Sequence, residues 1–366
     1  MPKFARAGRA VGAAFAVGGA AGGAVVAADV LAAMGGRPQH YPSSPQFVEG
    51  RFRNTEPLRW LPPGSVRDAA RDILRSRRRR PASPVPSCRP VGGASAAAGL
   101  HVTWFGHAST LVEIDGARLL VDPMWSDRAS PSRIAGPRRL LGPPCALPEL
   151  PEVDGIVFSH DHYDHLDMRT VRELTRLQRA PFLVPLGVSA HLLRWGVPPE
   201  RIIELDWHDS AHIAGLRITA TPARHFSGRG LVRNNTLWAS WVLAGGSRRV
   251  FYSGDTGYFP GFARIGRDYG PFDATLMQLG AYAPSWPDVH MTPEEAVAAH
   301  VDVGGAALVP VHWGTFDLGP HGWAEPVDRA RKEAAARGAH LVVPKPGERV
   351  DLATPPDLDP WWEPLG

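Results

Sequence analysis

Cysteine is nearly missing from this chain of 366 residues: only Cys88 and Cys145 are present. There is no C-x-x-C pair, which excludes a thiolate zinc site, and two cysteines exclude a disulfide framework, leaving one bridge at most. Long apolar runs are as scarce. Val11 to Ala28, built only from Val, Gly, Ala and Phe, is the single stretch long enough to cross a bilayer as a helix. Strong charge of one sign is lacking too: the net charge is +4 with histidines neutral. No nucleic-acid-binding motif accompanies the basic residues, so nucleic acid is not expected as a partner. No repeat or long linker divides residues 100–366, so this region reads as one domain.

The composition is that of a globular protein, 44% hydrophobic and 21% charged, with 39 Gly and 37 Pro marking many turns. Lys3, Arg6 and Arg9 precede the apolar run, and Val26-Ala27-Ala28 has the small-residue form of a cleavage site. Residues 1–36 are therefore expected to be a signal-like or membrane-tether segment, with an uncleaved tail on a cytoplasmic protein as the alternative. Residues 37–99, rich in Pro, Arg and Ser, read as an arm packed on the main domain. The run Arg75 to Arg80 within it fits a solvated segment or an anionic membrane surface. One short helix is expected there, from Ser65 to Arg75.

Strands and helices alternate beyond residue 100. Strands are expected at 101–105, 110–114, 118–121, 155–158, 182–184, 201–205, 216–221, 237–243, 249–252, 274–278 and 307–311. Helices are expected at 168–178, 188–195, 293–303 and 326–337, the third with Thr292 as N-cap and Glu294-Glu295 in its first turn. This alternation predicts an α/β domain with mixed sheets.

The chemistry is concentrated in Ser159 to Asp167, Ser-His-Asp-His-Tyr-Asp-His-Leu-Asp, directly after the apolar run Gly155 to Phe158. His160, His162, Asp164 and His165 fall in one loop at the end of a buried strand. Such a loop can aim two imidazoles at one metal ion while a carboxylate and a third imidazole reach a second. His225, Asp255 and His312 each follow another expected strand, so all can converge on one sheet edge, where active sites of α/β sheets commonly lie. Imidazole and carboxylate donors without thiolate suit Zn²⁺, with Fe²⁺ and Mn²⁺ as alternatives.

This order of H-x-H-x-D-H, His, Asp and His resembles the metallo-β-lactamase superfamily. Further motifs narrow the likeness: Trp104 to Ser109, Val121-Asp122-Pro123, Thr236 to Trp241, Gly280 to Pro284, Pro293 to Ala296 and His312 to Phe316. They resemble the branch containing N-acylphosphatidylethanolamine-hydrolysing phospholipase D, over about Phe47 to the end. The resemblance implies an αββα sandwich, with two mixed sheets face to face and helices on both outer sides. It implies two Zn²⁺ per chain: one held by His160, His162 and His225, the other by Asp164, His165 and His312, with Asp255 bridging. A hydroxide shared by the ions would attack a phosphodiester. Asp164 and His290 are the expected catalytic residues beside the metals, His290 contacting a phosphoryl oxygen or relaying a proton. His107 and Asp122 are expected to hold ligating imidazoles through their far nitrogens.

Trp125, Tyr282, Trp286 and Trp313 are the expected walls of an acyl-chain groove. The expected partners are a phospholipid or other phosphodiester and a membrane surface; a homodimer is left open. Two other functions fit the metal motif: a lactonase or other carbon-ester hydrolase on a small substrate, and a non-catalytic zinc-binding envelope protein. Seven metal donors count against the last, because a structural zinc needs only four.

Overall fold

The computed structural model describes residues 27–59, 67, 79–90 and 98–365. Residues 27–33 are helical, and a small hairpin joins β1 (Phe47–Val48) to β2 (Arg51–Phe52). The main domain opens with β3 (Leu100–Gly106), β4 (Ser109–Ile114), β5 (Ala117–Val121) and β6 (Gly155–Val157), followed by helix α1 (Met168–Leu177). Next come β7 (Phe182–Pro185), α2 (Ser189–Arg194), β8 (Ile202–Leu205), β9 (Ser210–Ile213), β10 (Leu216–Thr221), β11 (Ser240–Ala244) and β12 (Arg249–Tyr252). The chain closes with α3 (Gly261–Tyr269), β13 (Phe272–Gln278), α4 (Pro293–Asp302), β14 (Gly305–Val311), α5 (Glu325–Arg337), β15 (His340–Leu341) and β16 (Arg349–Asp351).

The strands form two seven-stranded sheets, ordered β16-β3-β4-β5-β6-β7-β8 and β15-β14-β13-β12-β11-β10-β9. Both are mixed. The first is antiparallel from β16 to β5 and parallel from β5 to β8; the second is antiparallel from β9 to β12 and parallel from β12 to β15.

The side-chain period of two sorts each strand between two cores. Val112, Leu119, Val121, Val157 and Leu183 join Leu216, Ile218, Ala220 and Trp241 in a core between the sheets. Their neighbours Leu111, Leu120, Ile156, Phe182 and Val184 face Met168, Val171 and Leu174 of α1 on the outer side. Phe262, Ile265 and Val297, from α3 and α4, pack with the second sheet. The expected αββα sandwich is the observed architecture.

Thr292 caps α4 as expected, its hydroxyl accepting from Glu295 N while the Glu295 carboxylate accepts from Thr292 N. The strand expected at 237–243 instead runs from Ser240 to Ala244. Leu237 to Ala239 connect across to other loops, Leu237 N donating to Leu186 O and Ala239 N to Ser159 O. The helix expected from Ser65 to Arg75 lies outside the described residues, apart from Arg67. Both cysteines are free thiols, Cys145 buried and Cys88 half-buried.

The described part of the arm packs on the domain. Phe52 is fully buried, Tyr41 donates to Glu204 at 2.9 Å, and Asn54 brackets the backbone of His225, donating to its carbonyl at 2.7 Å and accepting from its N–H at 3.0 Å. Ala33, within the segment expected as a tether, is also buried. No helix among the described residues is long and apolar enough to cross a membrane.

Candidate metal centre

Each expected ligand sits just beyond the carboxyl end of a strand. The H-x-H-x-D-H loop follows β6, His225 follows β10, Asp255 follows β12 and His312 follows β14. Parallel neighbours in a sheet end on the same side, β5 with β6 in the first sheet and β12 with β13 and β14 in the second, and contacts such as His165 to Asp255 at 3.1 Å join the two edges into one rim. His107, Asp122 and His312 all have positive φ, at 51°, 39° and 62°. That conformation is uncommon for residues with a Cβ and is held here by the surrounding contacts. His312 N donates to His107 O at 2.8 Å, and His107 N donates to the Thr315 hydroxyl at 2.6 Å.

The donor atoms converge. His160 Nε2 lies 2.9 Å from His162 Nδ1, and His225 Nε2 lies 3.3 Å from the same nitrogen. Asp164, His165 and His312 gather a second group: His312 Nε2 is 3.2 Å and His165 Nε2 3.6 Å from Asp164 Oδ2. Asp255 stands between the groups, its Oδ2 3.1 Å from both His165 Nε2 and His312 Nε2 and 3.8 Å from His160 Nε2. Each group offers at least three nitrogen or carboxylate donors within one ion's reach.

The electrostatics fit a cation. Burial pushes the imidazoles of His160, His162 and His225 below their ordinary value, keeping them neutral, the form that ligates metal. Burial also disfavours charge on His165 and His312. There the carboxylates Asp255 and Asp164 outweigh it, raising His165 well above its usual range and His312 to about 9. Asp164 and Asp255 are held low despite burial, chiefly by His165. Two carboxylates, Asp255 buried and Asp164 half-buried, thus draw positive charge to one place, and His165 Nε2 and Asp255 Oδ1 have no hydrogen-bond partner. A metal ion satisfies both requirements.

Asp122 supports this rim from beneath. Its fully buried carboxylate accepts from Ser159 N at 2.7 Å, the Ser159 hydroxyl at 2.5 Å and the Tyr252 hydroxyl, and it meets His165 Nδ1 at 2.6 Å. Asp122 therefore holds the His165 imidazole by Nδ1 and leaves Nε2 turned towards Asp164 and Asp255. His107 does something else: its Nε2 meets the carboxylate of Asp164 at 2.9 Å, and no imidazole nitrogen. Burial and the neighbouring His312 lower His107 to about 3. His290 stands at the edge, Nδ1 3.9 Å from Asp255 Oδ2, and burial lowers it to about 4.

Two cavities open beside the donors and share His290. The smaller, about 260 Å³, is walled by Phe226, Trp286, Val289 and Leu318 over His162, Asp164, Asp255 and His312. The larger, about 530 Å³, lies between Tyr282, Pro287, His321 and Arg329. Two of the four expected groove residues, Trp286 and Tyr282, line them. Trp125 and Trp313 do not. Trp125 packs on Phe105 with its Nε1 donating to Cys145 O, and Trp313 is buried, stacked on Trp104 at 5.3 Å. Trp313 is a core residue and Trp125 a half-buried one packed against the outer core, because their loops turn the rings inward.

Phe226 and Arg229 carried no sequence signal, and His321, in Gly319-Pro320-His321-Gly322, only a weak one. Phe226 sits edge-on to His162 at 4.5 Å between ring centroids. Arg229 is buried and spans three carbonyls, donating to Asp161 O at 2.6 Å, Leu166 O at 2.7 Å and Ala33 O at 2.8 Å. His321 Nε2 accepts from Ala281 N at 2.9 Å, which steadies the turn beside His312.

Comparison with known proteins agrees with this geometry. Residues 117–313 match the family model described as beta-lactamase superfamily domain. An uncharacterized protein of Mycobacterium tuberculosis is 53% identical over 325 residues, 87% of each chain. The N-acyl-phosphatidylethanolamine-hydrolyzing phospholipase D 1 of Caenorhabditis elegans is 39% identical over 252 residues, 65% of this chain and 71% of that protein. Among solved structures, Igni18, a metallo hydrolase from the archaeon Ignicoccus hospitalis, superposes with a TM-score of 0.54 at 25% identity, covering 69% of this chain and 97% of that one. With its two mixed sheets and its histidine–aspartate rim, the chain belongs to the metallo-β-lactamase superfamily of metal-dependent hydrolases.

Proposed function

We propose that this hydrolase is a phospholipase D-type phosphodiesterase acting on N-acylphosphatidylethanolamine-like lipids, with two Zn²⁺ bound per chain. His160, His162 and His225 would hold one ion and Asp164, His165 and His312 the other, with Asp255 between them. The observation that carries the lipid reading is the apolar wall of Phe226, Trp286, Val289 and Leu318 directly beside the donors. A small polar lactone has no use for such a wall, whereas an acyl chain gains about 0.8 kcal/mol for each methylene buried there. The similarity to the Caenorhabditis elegans enzyme supports the same substrate class.

When bound, the metal pair supplies Lewis acidity towards a phosphoryl oxygen and lowers the pKa of water. The chain's own residues do the rest. Asp122 fixes the rotation of His165, and the Val289 carbonyl, accepting from His225 Nδ1 at 3.0 Å, fixes His225. His290 stays neutral at its wall position, so one of its nitrogens can donate to a phosphoryl oxygen or to the departing alkoxide. The apolar wall excludes water from the cleavage point.

The test is turnover of N-acylphosphatidylethanolamine by the zinc-loaded chain in isotopically labelled water, beside a lactone panel. Label in the phosphatidic acid product, with kcat/KM rising as the acyl chain lengthens, is the expected result. Rapid lactone opening with label in a carboxylate, and no lipid turnover, would replace this reading with the carbon-ester one.

A further inference from the structure

We propose that the surface formed by Leu31, Met34, Ile134, Leu231 and Val232 docks this protein on an anionic lipid bilayer, with the mouth of the metal cavity turned towards the membrane. The inference deepens the lipid reading given above and names the surface that reading requires.

Nine large hydrophobic side chains are exposed among the described residues, and these five belong to one neighbourhood. Leu231 is fully exposed, Ile134 is 71% exposed and Leu31 60%. They come from three separate segments that contacts bring together. Arg229, two residues before Leu231, donates to Ala33 O, one residue before Met34. A side chain at Gly230 would meet the Met34 methyl at 2.8 Å. Arg133, beside Ile134, reaches Asp29 at 3.2 Å on the same amino-terminal helix. Protruding single side chains of this kind suit insertion among lipid acyl chains, and contiguous exposed apolar surface marks an interaction site.

Charge and chain direction select the partner. Apart from Arg229 and Arg139, whose guanidinium groups are held by backbone carbonyls, residues 27–37, 127–139 and 229–233 contain five arginines (Arg37, Arg128, Arg133, Arg138 and Arg233) and two aspartates, with no lysine or glutamate. That excess complements an anionic surface. The apolar stretch Val11 to Ala28 leads directly into helical residues 27–33, and Leu31 on this helix and Met34 in the turn after it are exposed. The same surface adjoins the site: Phe226, which walls the smaller cavity, begins the loop that carries Leu231, and the Tyr163 hydroxyl of the metal loop donates to Arg229 O at 2.6 Å. A lipid leaving the bilayer at this loop meets Phe226 before it meets the metal donors.

The test uses the full chain carrying Cys88→Ser and Leu231→Cys, the new thiol labelled with an environment-sensitive fluorophore; Cys145 is buried. Vesicles of phosphatidylcholine and phosphatidylglycerol carry spin-labelled acyl chains and contain no substrate. Docking predicts a blue shift and loss of most emission at position 231, and neither at a Val301→Cys label, a position 47% exposed on α4. Omitting phosphatidylglycerol should raise the vesicle concentration for half-quenching by about tenfold. Sedimentation with vesicles through the first residues while position 231 stays unquenched would overturn the proposal, as would equal quenching at both positions. A label buried in a dimer would shift without quenching, which also overturns it. Quenching here, with no turnover of N-acylphosphatidylethanolamine in the separate activity assay, would leave docking standing and remove the phospholipase reading; turnover there without quenching here would do the reverse.

Discussion

At the scale of single residues, Asp122 and Asp255 separate two kinds of requirement. Asp122 accepts from or meets four polar groups while fully buried, so Asp122→Asn places an amide N–H against donors. The expected outcome is destabilisation on the order of 3 kcal/mol in denaturant unfolding, with metal affinity down by about 10–100-fold. Asp255→Asn should behave oppositely. Its Oδ1 has no hydrogen-bond partner, so the fold loses little, but the charge between the two donor groups is gone. Turnover should fall on the order of 100-fold with the unfolding midpoint close to the parent's; parental turnover would place the bridging charge elsewhere. The convergence of the seven candidate donors was legible in the sequence because four of them are crowded into six positions and the others each follow an apolar strand. His107 was legible as a candidate but not in its contact, since its approach to Asp164 across 57 positions depends on how two loops pack. Trp125 and Trp313 show the same limit: a tryptophan in a loop beside a site reads alike whether the ring turns out or in.

At the scale of elements, the amino-terminal helix and the metal loop are one mechanical unit through Arg229. Its guanidinium lies over the Tyr163 ring at 4.1 Å and spans Ala33, Asp161 and Leu166. Deleting residues 1–28 leaves these contacts whole. Deleting residues 1–36 removes the Ala33 carbonyl and leaves buried N–H groups unpaired, at about 1–3 kcal/mol. Thermal unfolding should therefore distinguish the two truncations, with metal retained better by the first; equal melting temperatures would mean Arg229 finds another acceptor.

Helix α4 supplies a pH test away from the metal. His300, buried against the Thr275 hydroxyl at 2.7 Å, is lowered to about 4 by burial. The unfolded chain binds a proton near pH 6.5 that the folded chain refuses, so stability is lost as pH falls from about 6.5 to 4. The size is about 3 kcal/mol at most. His300→Leu should flatten the acid limb of the stability profile by that amount, measured as a difference from the parent. The strands were legible where both faces are apolar and β-branched residues are dense. Ser210–Ile213 escaped because it is a half-exposed edge strand of mixed polarity. Gly261–Tyr269 escaped because it has two glycines and no side-chain N-cap bond.

At the scale of the molecule, two sheets share one hydrophobic core and deliver their loops to one rim, so the metal and the fold are coupled. A chelator should lower the melting temperature of the whole chain, and zinc at about 1,000 times its dissociation constant should restore about 4 kcal/mol. A melting temperature indifferent to chelation would mean the rim is stable without a cation, against the field of Asp164 and Asp255. The arrangement of the two sheets was legible only through the resemblance of the motifs, because no local pattern says which sheet a strand joins.

The central claim, that seven side chains from four loops hold a pair of metal ions, is tested most directly by metal content per chain. Elemental analysis of the purified protein after dialysis against trace zinc should give two ions in the parent and a clear loss in His160→Ala/His162→Ala and in His312→Ala. Circular dichroism of each sample shows whether the fold is retained. Two ions retained by the double variant, or a folded parent with none, would contradict the account.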